Sequence, residues 1–248
     1  MRMFDAIGLG WDVGGWQGQS QAIAAVGWRR GEPLQWLGIS TAFRLSSRST
    51  PTLTHLLMPA LRSEERLSWV LSAPAVTLGV DAPLAFPRAL CALLQGQETA
   101  PPLIPEREID NPYAYRECER WLHQHYGKKP LSASFDRLGN NATLAMALLR
   151  RWNIPIVPVQ PYREGMVAIE TYPALAKPNG RRGQATSALH ALLPEAVMAG
   201  SDPYDAALCA LMALQHAAGG GCDALPSLVF APPEMPKEEG WIYHFASR

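Results

Sequence analysis

The chain has no apolar run long enough to span a bilayer, no close pair of cysteines and no excess of charge of either sign. A membrane helix needs about 20 consecutive apolar residues, and acids, basic residues and prolines interrupt every candidate stretch here. Cys91, Cys118, Cys209 and Cys222 stand far apart, which argues against a disulfide framework or zinc knuckle and predicts reduced thiols. His123 and His125 lie two apart on a predicted helix and therefore point to different faces, a poor arrangement for a metal. With a formal net charge of zero, no global field draws in nucleic acid or anionic lipid, and any such site has to be local. The opening Met1-Arg2-Met3-Phe4-Asp5 lacks a signal-peptide layout, so a cytoplasmic location without membrane attachment is expected. What remains is the composition of a globular fold, 48% hydrophobic and 18% charged. A single α/β domain over residues 1–248 is expected, with room for one insertion.

The most informative stretch is Ala6-Ile7-Gly8-Leu9-Gly10-Trp11-Asp12, an apolar run that delivers one carboxylate into the turn Val13-Gly14-Gly15. Such a run fits a strand buried on both faces. Asp12 then either meets a ligand at the strand's exit or merely orders the turn through a hydrogen bond to its backbone. The pattern repeats twice: Ala75 to Asp81 is an apolar run closing on an acid before Pro83, and Met166 to Glu170 is another before Pro173.

Between these runs, residues 21–28 and 34–39 flank the polar cluster Arg29-Arg30-Gly31-Glu32-Pro33 and predict a hairpin, giving a three-strand antiparallel meander. Residues 44–59, rich in Ser, Thr and Pro, are expected to be irregular, and a helix over 63–72 starts on Ser63 with acids in its first turn. A helix after the meander allows the strand ending at Asp81 to run parallel to the first and bring Asp12 and Asp81 to one sheet edge.

Residues 84–138 are expected to form a helical insertion with a helix over 112–125, on which Arg116, Glu119 and Arg120 recur at helical spacing. They either form a solvated charged face or, for Arg116 and Glu119, contact substrate. Further helices are expected over 141–152 and 187–193, an edge segment over 154–159, and a buried helix over 206–217. That last helix is preceded by Ser201-Asp202-Pro203-Tyr204-Asp205. Asp202 before Pro203 reads as an N-cap, which would explain it structurally. A last strand is expected around Gly240-Trp241-Ile242-Tyr243.

Asp12, Asp81 and Glu170 at strand ends, with Asp202 and Asp205 at a helix start, are the parts of a carboxylate site for a hard divalent cation, Mg2+ or Mn2+. Two such ions roughly 4 Å apart can clamp the attacking and leaving oxygens of a phosphodiester displacement.

Six short segments in order resemble a known family. They are Gly10-Trp11-Asp12, Gly79-Val80-Asp81-Ala82-Pro83-Leu84, Tyr115-Arg116-Glu117-Cys118-Glu119, Glu170-Thr171-Tyr172-Pro173, Asp202-Pro203-Tyr204-Asp205-Ala206 and Glu239-Gly240-Trp241-Ile242-Tyr243. Together they resemble the domain-of-unknown-function family 429, regarded as predicted RNase H-like nucleases. The resemblance implies an RNase H-like mixed sheet, a meander plus parallel strands, with flanking helices. It also implies a metal-dependent nuclease or phosphodiesterase acting on DNA or RNA.

The helix-borne aspartates three apart look like those of Holliday-junction resolvases. By that likeness Asp12, Asp81 and Asp205 are the metal ligands, with Asp202 and Glu170 assisting catalysis. Arg116 and the Arg181-Arg182 loop are the local candidates for phosphate contact, surface solubility being the alternative for the loop. Two other readings stay open: a binding module of this fold without turnover, and a sugar-kinase or ATPase relative. The second draws on Asp12-Val13-Gly14-Gly15, although no second Asp-x-Gly-Gly is present.

Overall fold

The alternation of Gly8, Gly10 and Asp12 with Ile7, Leu9 and Trp11 decides how the centre of this molecule is built, because successive strand residues face opposite sides of a sheet. In the computed structural model, which describes residues 4–17, 20–46, 48–97, 104–136, 138–161, 164–178 and 183–246, these residues form β1 (Ala6–Asp12). β2 (Ala22–Trp28) and β3 (Gln35–Ile39) complete the expected antiparallel meander. β4 (Val76–Asp81) runs parallel to β1, and Asp12 and Asp81 are direct register partners.

Two helices lie between the meander and β4. The first, α1 (Leu53–Leu61), occupies part of the stretch expected to be irregular. Its Leu53, Leu56, Leu57, Ala60 and Leu61 fall at helical spacing and bury an apolar face, and Thr52 caps it by accepting from the His55 N–H. Burial of that face outweighs the internal Pro59, whose composition signal had pointed to a loop. The second, α2 (Glu64–Ser72), starts as expected on the cap Ser63.

The segment over 84–138 contains α3 (Arg88–Leu94) and α4 (Glu117–Tyr126). α4 begins five residues later than expected, with Arg116 as its N-cap and Glu119 accepting from the Arg116 N–H at 2.8 Å. Next come α5 (Leu138–Arg151), the short β5 (Ile156–Val157) and β6 (Met166–Thr171). β6 pairs with β4 in parallel, setting Glu170 beside Val80.

After α6 (Ser187–His190) and α7 (Asp202–Ala217), the chain closes with β7 (Leu228–Val229) and β8 (Ile242–Phe245). The strand order is β3-β2-β1-β4-β6-β8-β7, with β5 beside β6. The molecule is thus α/β, with a mixed sheet flanked by helices. Among the described residues no helix is long and apolar enough to cross a membrane.

Each face of the sheet carries its own core. Ile7, Leu9, Trp11, Leu78 and Val80 pack under α1, α2 and α5. The other face belongs to α7, buried along nearly its whole length. α7 can lie directly on the strands because Gly8, Gly10 and Gly79 have no side chains: a Cβ on any of them would collide with the backbone of α7. The same parity carries Asp12 and Asp81 to the α7 side, whereas Glu170, level with Val80, falls on the opposite side.

Candidate active site

Parallel β1, β4 and β6 end together, so their terminal acids meet at one sheet edge, the place where α/β sheets form ligand crevices. A cleft of about 220 Å3 opens there, lined among others by Asp12, Asp81, Glu119, Glu170, Asp202 and Asp205. The two helix-borne acids arrive on the first turn of α7. Ser201, not Asp202, is its N-cap and accepts from the Tyr204 N–H at 3.3 Å. Asp202 is therefore released from capping and instead accepts a hydrogen bond from the Ser20 hydroxyl. Both acids sit at the positive end of the helix dipole, which offsets part of their charge.

Among the described residues, other side chains than Asp12 order the turn that follows it. Gly14 N–H donates to Gln21 Oε1 (3.2 Å), Trp16 N–H to Asn140 Oδ1 (3.2 Å), and Asn141 Nδ2 to the Val13 carbonyl (2.5 Å). Gly15 adopts a φ of +76°, and a Cβ there would meet Asn140 of α5. The glycines thus have a packing reason to be present. Gly14 in particular backs onto the Ser20 carbonyl instead of an open phosphate cradle.

The half-buried Asp12 carboxyl is pushed well above the usual carboxylate range, first by loss of water and then by the charges of Asp81, Asp202 and Asp205; Lys177 pulls the other way. Lys177 follows the 3-10 turn Pro173–Ala176 at the end of β6. Its side chain is wholly buried and forms an ion pair with Asp205. Lys177 is thus tied to two of the four aspartates at this end of α7, paired with Asp205 and drawing the Asp12 pKa down. In this arrangement no group of three or more His, Cys, Asp or Glu residues among the described residues has the geometry to hold a metal ion.

Glu170 and Glu119 belong to a different charge system. Arg116 is fully buried behind them and does not line the cleft. Its guanidinium donates to both Glu170 oxygens (2.7 and 2.6 Å), to Glu119 Oε1 (2.9 and 3.2 Å) and to the Glu239 carbonyl (3.2 Å). Burial raises the Glu119 carboxyl pKa and Arg116 opposes it, with a net upward direction. Glu170 also accepts from the Leu84 N–H at 2.8 Å.

Glu239 caps α3 and α4 by accepting from the Arg88 and Glu117 N–H groups at 2.8 and 2.6 Å. The solvated pair on α4 is Arg120–Glu117 at 2.6 Å. Every guanidinium hydrogen of Arg116 that the fork aims at a glutamate is spoken for, so its contact with a substrate would first require those bonds to break.

The sequence gathers Asp12, Asp81 and Asp205, with Asp202 and Glu170 in support, and all five line this cleft; it does not single out Lys177, Ser20 or Asn141. Lys177 had one signal, a lone charge in the apolar stretch after Pro173. Asn141 had another, a polar side chain on the first turn of an amphipathic helix. The Arg181-Arg182 loop lies outside the described residues. Comparisons with protein-family models, curated proteins and solved structures find no match to this chain.

Proposed function

We propose that this protein is a divalent-metal-dependent phosphodiesterase of RNase H-like architecture, acting on nucleic acid. The observation that carries the reading is the gathering of Asp12, Asp81, Asp202 and Asp205 at one cleft, with Asp12 and Asp81 in direct register. Acids held this close repel one another unless a cation joins them. The upward displacement of Asp12 reflects that repulsion as well as its loss of water. The donors are all hard oxygens, which fit Mg2+ or Mn2+. Asp12, Asp81 and Asp205 would hold the ion, with Asp202 beside them, only after a rearrangement that draws their carboxylates together, because as they stand no three of the described acids have the geometry for it. The ion would supply a nucleophilic water at neutral pH and neutralise charge on the phosphodiester.

The chain's own residues do the rest. Gly8, Gly10 and Gly79 seat α7 so that Asp202 and Asp205 reach the strand ends. Arg116 is a positioning residue: it neutralises Glu119 and Glu170 and so limits the negative charge in the cleft. Lys177 holds Asp205. A second reading, a binding module of the same architecture without turnover, draws on that ion pair, because Lys177 already occupies one of the candidate ligands.

The test is hydrolysis of bis(p-nitrophenyl) phosphate with added manganese. The expected result is a manganese-dependent rate that falls at least about a hundredfold in Asp12→Asn and Asp81→Asn. Turnover that survives EDTA, or that both variants retain, would refute the assignment. A wild type that binds manganese without turnover would favour the binding module.

A further inference from the structure

We propose that a groove beside the acidic cleft, walled by Trp16, Arg48, Ser49, Leu144, Leu148 and Arg151, binds an unpaired base and the phosphates flanking it. The site therefore takes single-stranded nucleic acid. This deepens the phosphodiesterase reading and rests on it for the nature of the substrate. The groove encloses about 630 Å3, and one turn of α5 separates it from the cleft: Asn141 lines the cleft and Leu144 the groove.

Leu144 and Leu148 provide an apolar floor. Among the described residues that line the groove, the titratable side chains are Arg48 and Arg151, both exposed, and neither guanidinium makes an ion pair or hydrogen bond with a described residue. Trp16 is 56% exposed despite its size. Its backbone N–H donates to Asn140 Oδ1 at 3.2 Å and its indole N–H to Thr143 Oγ1 at 3.0 Å. The ring is thus held at its polar edge while much of it meets solvent, the presentation an aromatic platform needs for a base.

An apolar floor, a held indole and two cations match the three parts of a nucleotide strand: base face, sugar edge and phosphate. The juxtaposition is complementary in charge. Arg151 stands ten residues along α5 from Asn141, about 15 Å at 1.5 Å per residue, so the arginines would hold phosphates further along the strand while the scissile one lies at the acids.

The experiment is an anisotropy titration of the whole protein with fluorescein-labelled oligothymidylate and its RNA counterpart in EDTA, so that binding is read without turnover. Wild type is expected to bind at least one of them, more tightly than a blunt duplex. In Arg48→Ala/Arg151→Ala the slope of log affinity against log salt should shrink by about 1.4, at about 0.7 per phosphate contact on a single strand. Trp16→Ala should weaken binding about tenfold or more, while Trp16→Phe keeps most of it. Melting temperatures of the variants separate loss of the groove from loss of the fold, and the phenylalanine variant tests stacking if the alanine one unfolds.

Absence of wild-type binding to either strand would overturn the proposal, as would an unchanged salt slope or equal affinity for duplex. So would displacement by polyglutamate that is equally effective in wild type and Trp16→Ala, which would point to an acidic peptide. Strand binding that depends on these residues, in a protein that hydrolyses no diester, would support the groove and count against the phosphodiesterase reading alone.

Discussion

Gly79→Ala tests how the helix-borne acids reach the strand-borne ones. A Cβ at this position would stand 2.6 Å from the Cys209 carbonyl oxygen, 3.0 Å from Thr171 Cγ2 and 3.3 Å from Ala213 Cβ. Ordinary contact begins at 3.4 Å, so the Cys209 backbone must retreat by 0.8 Å, the difference between 3.4 and 2.6 Å. That backbone belongs to the buried body of α7, which moves as a rod and takes Asp202 and Asp205 with it. Overpacking of this kind costs about 1–3 kcal/mol. For a domain of this size each kcal/mol lowers the melting temperature by about 2–4 °C. A displacement near 1 Å at a reacting centre costs about a hundredfold in rate. Gly79→Ala should therefore melt a few degrees low and lose most of the manganese-dependent stabilisation. Both effects can be read by calorimetry with and without the ion. Wild-type melting together with a wild-type manganese shift would refute the argument that glycines on the strands set the distance between the two pairs of aspartates.

Asp12→Asn should stabilise the metal-free protein near neutral pH. The folded-state pKa of Asp12 lies above the ordinary 3.8, so as pH rises from about 4 the unfolded chain gives up this proton first and stability declines through the window up to the folded value. The variant should lack that decline in a urea titration across pH, and it should also lose the manganese shift. Arg116→Lys keeps one charge but cannot reach both glutamates. Because stripping a partner from a buried ion pair costs about 3–5 kcal/mol, a large fall in melting temperature is expected, easing towards acid pH as Glu119, whose pKa burial raises, gains a proton. Lys177→Met removes the cation paired with Asp205 and should tighten manganese binding by isothermal titration; weaker binding would mean that the lysine assists the ion.

The strand runs, the meander and the acids at the sheet edge were legible because apolar runs ending in an acid carry their own register. Once β1 and β4 pair in parallel, Asp12 faces Asp81. The parity of Gly8, Gly10 and Asp12, and of Gly79 and Asp81, was also written in the chain, but it becomes meaningful only when a helix is known to cover that face. Two signals misled. The Ser, Thr and Pro content of 44–59 concealed the apolar spacing of α1, and Asp202 before Pro203 resembled a cap that Ser201 provides. The burial of Arg116 had no local signal at all. Its spacing from Glu119 is equally that of a solvated pair, and only the arrival of Glu170 from β6 and Glu239 from the tail makes it interior.

That difference bears on which acids are free to act. On one side of the sheet, Glu119 and Glu170 face a guanidinium that answers both, so their charge is spent on holding the insertion against β6. On the α7 side, four aspartates line one cleft with Lys177 paired to Asp205, and Asp12 is forced upward by loss of water and by its neighbours. A protein that needed these aspartates only for folding would gain by replacing some with amides, since each repulsion costs stability. Keeping them together is reasonable if a cation is bound during function. Under the proposed function, the excess of acid over base among the described residues on the α7 side is what would make Asp12, Asp81, Asp202 and Asp205 the ion's set, with Glu170 as part of its support.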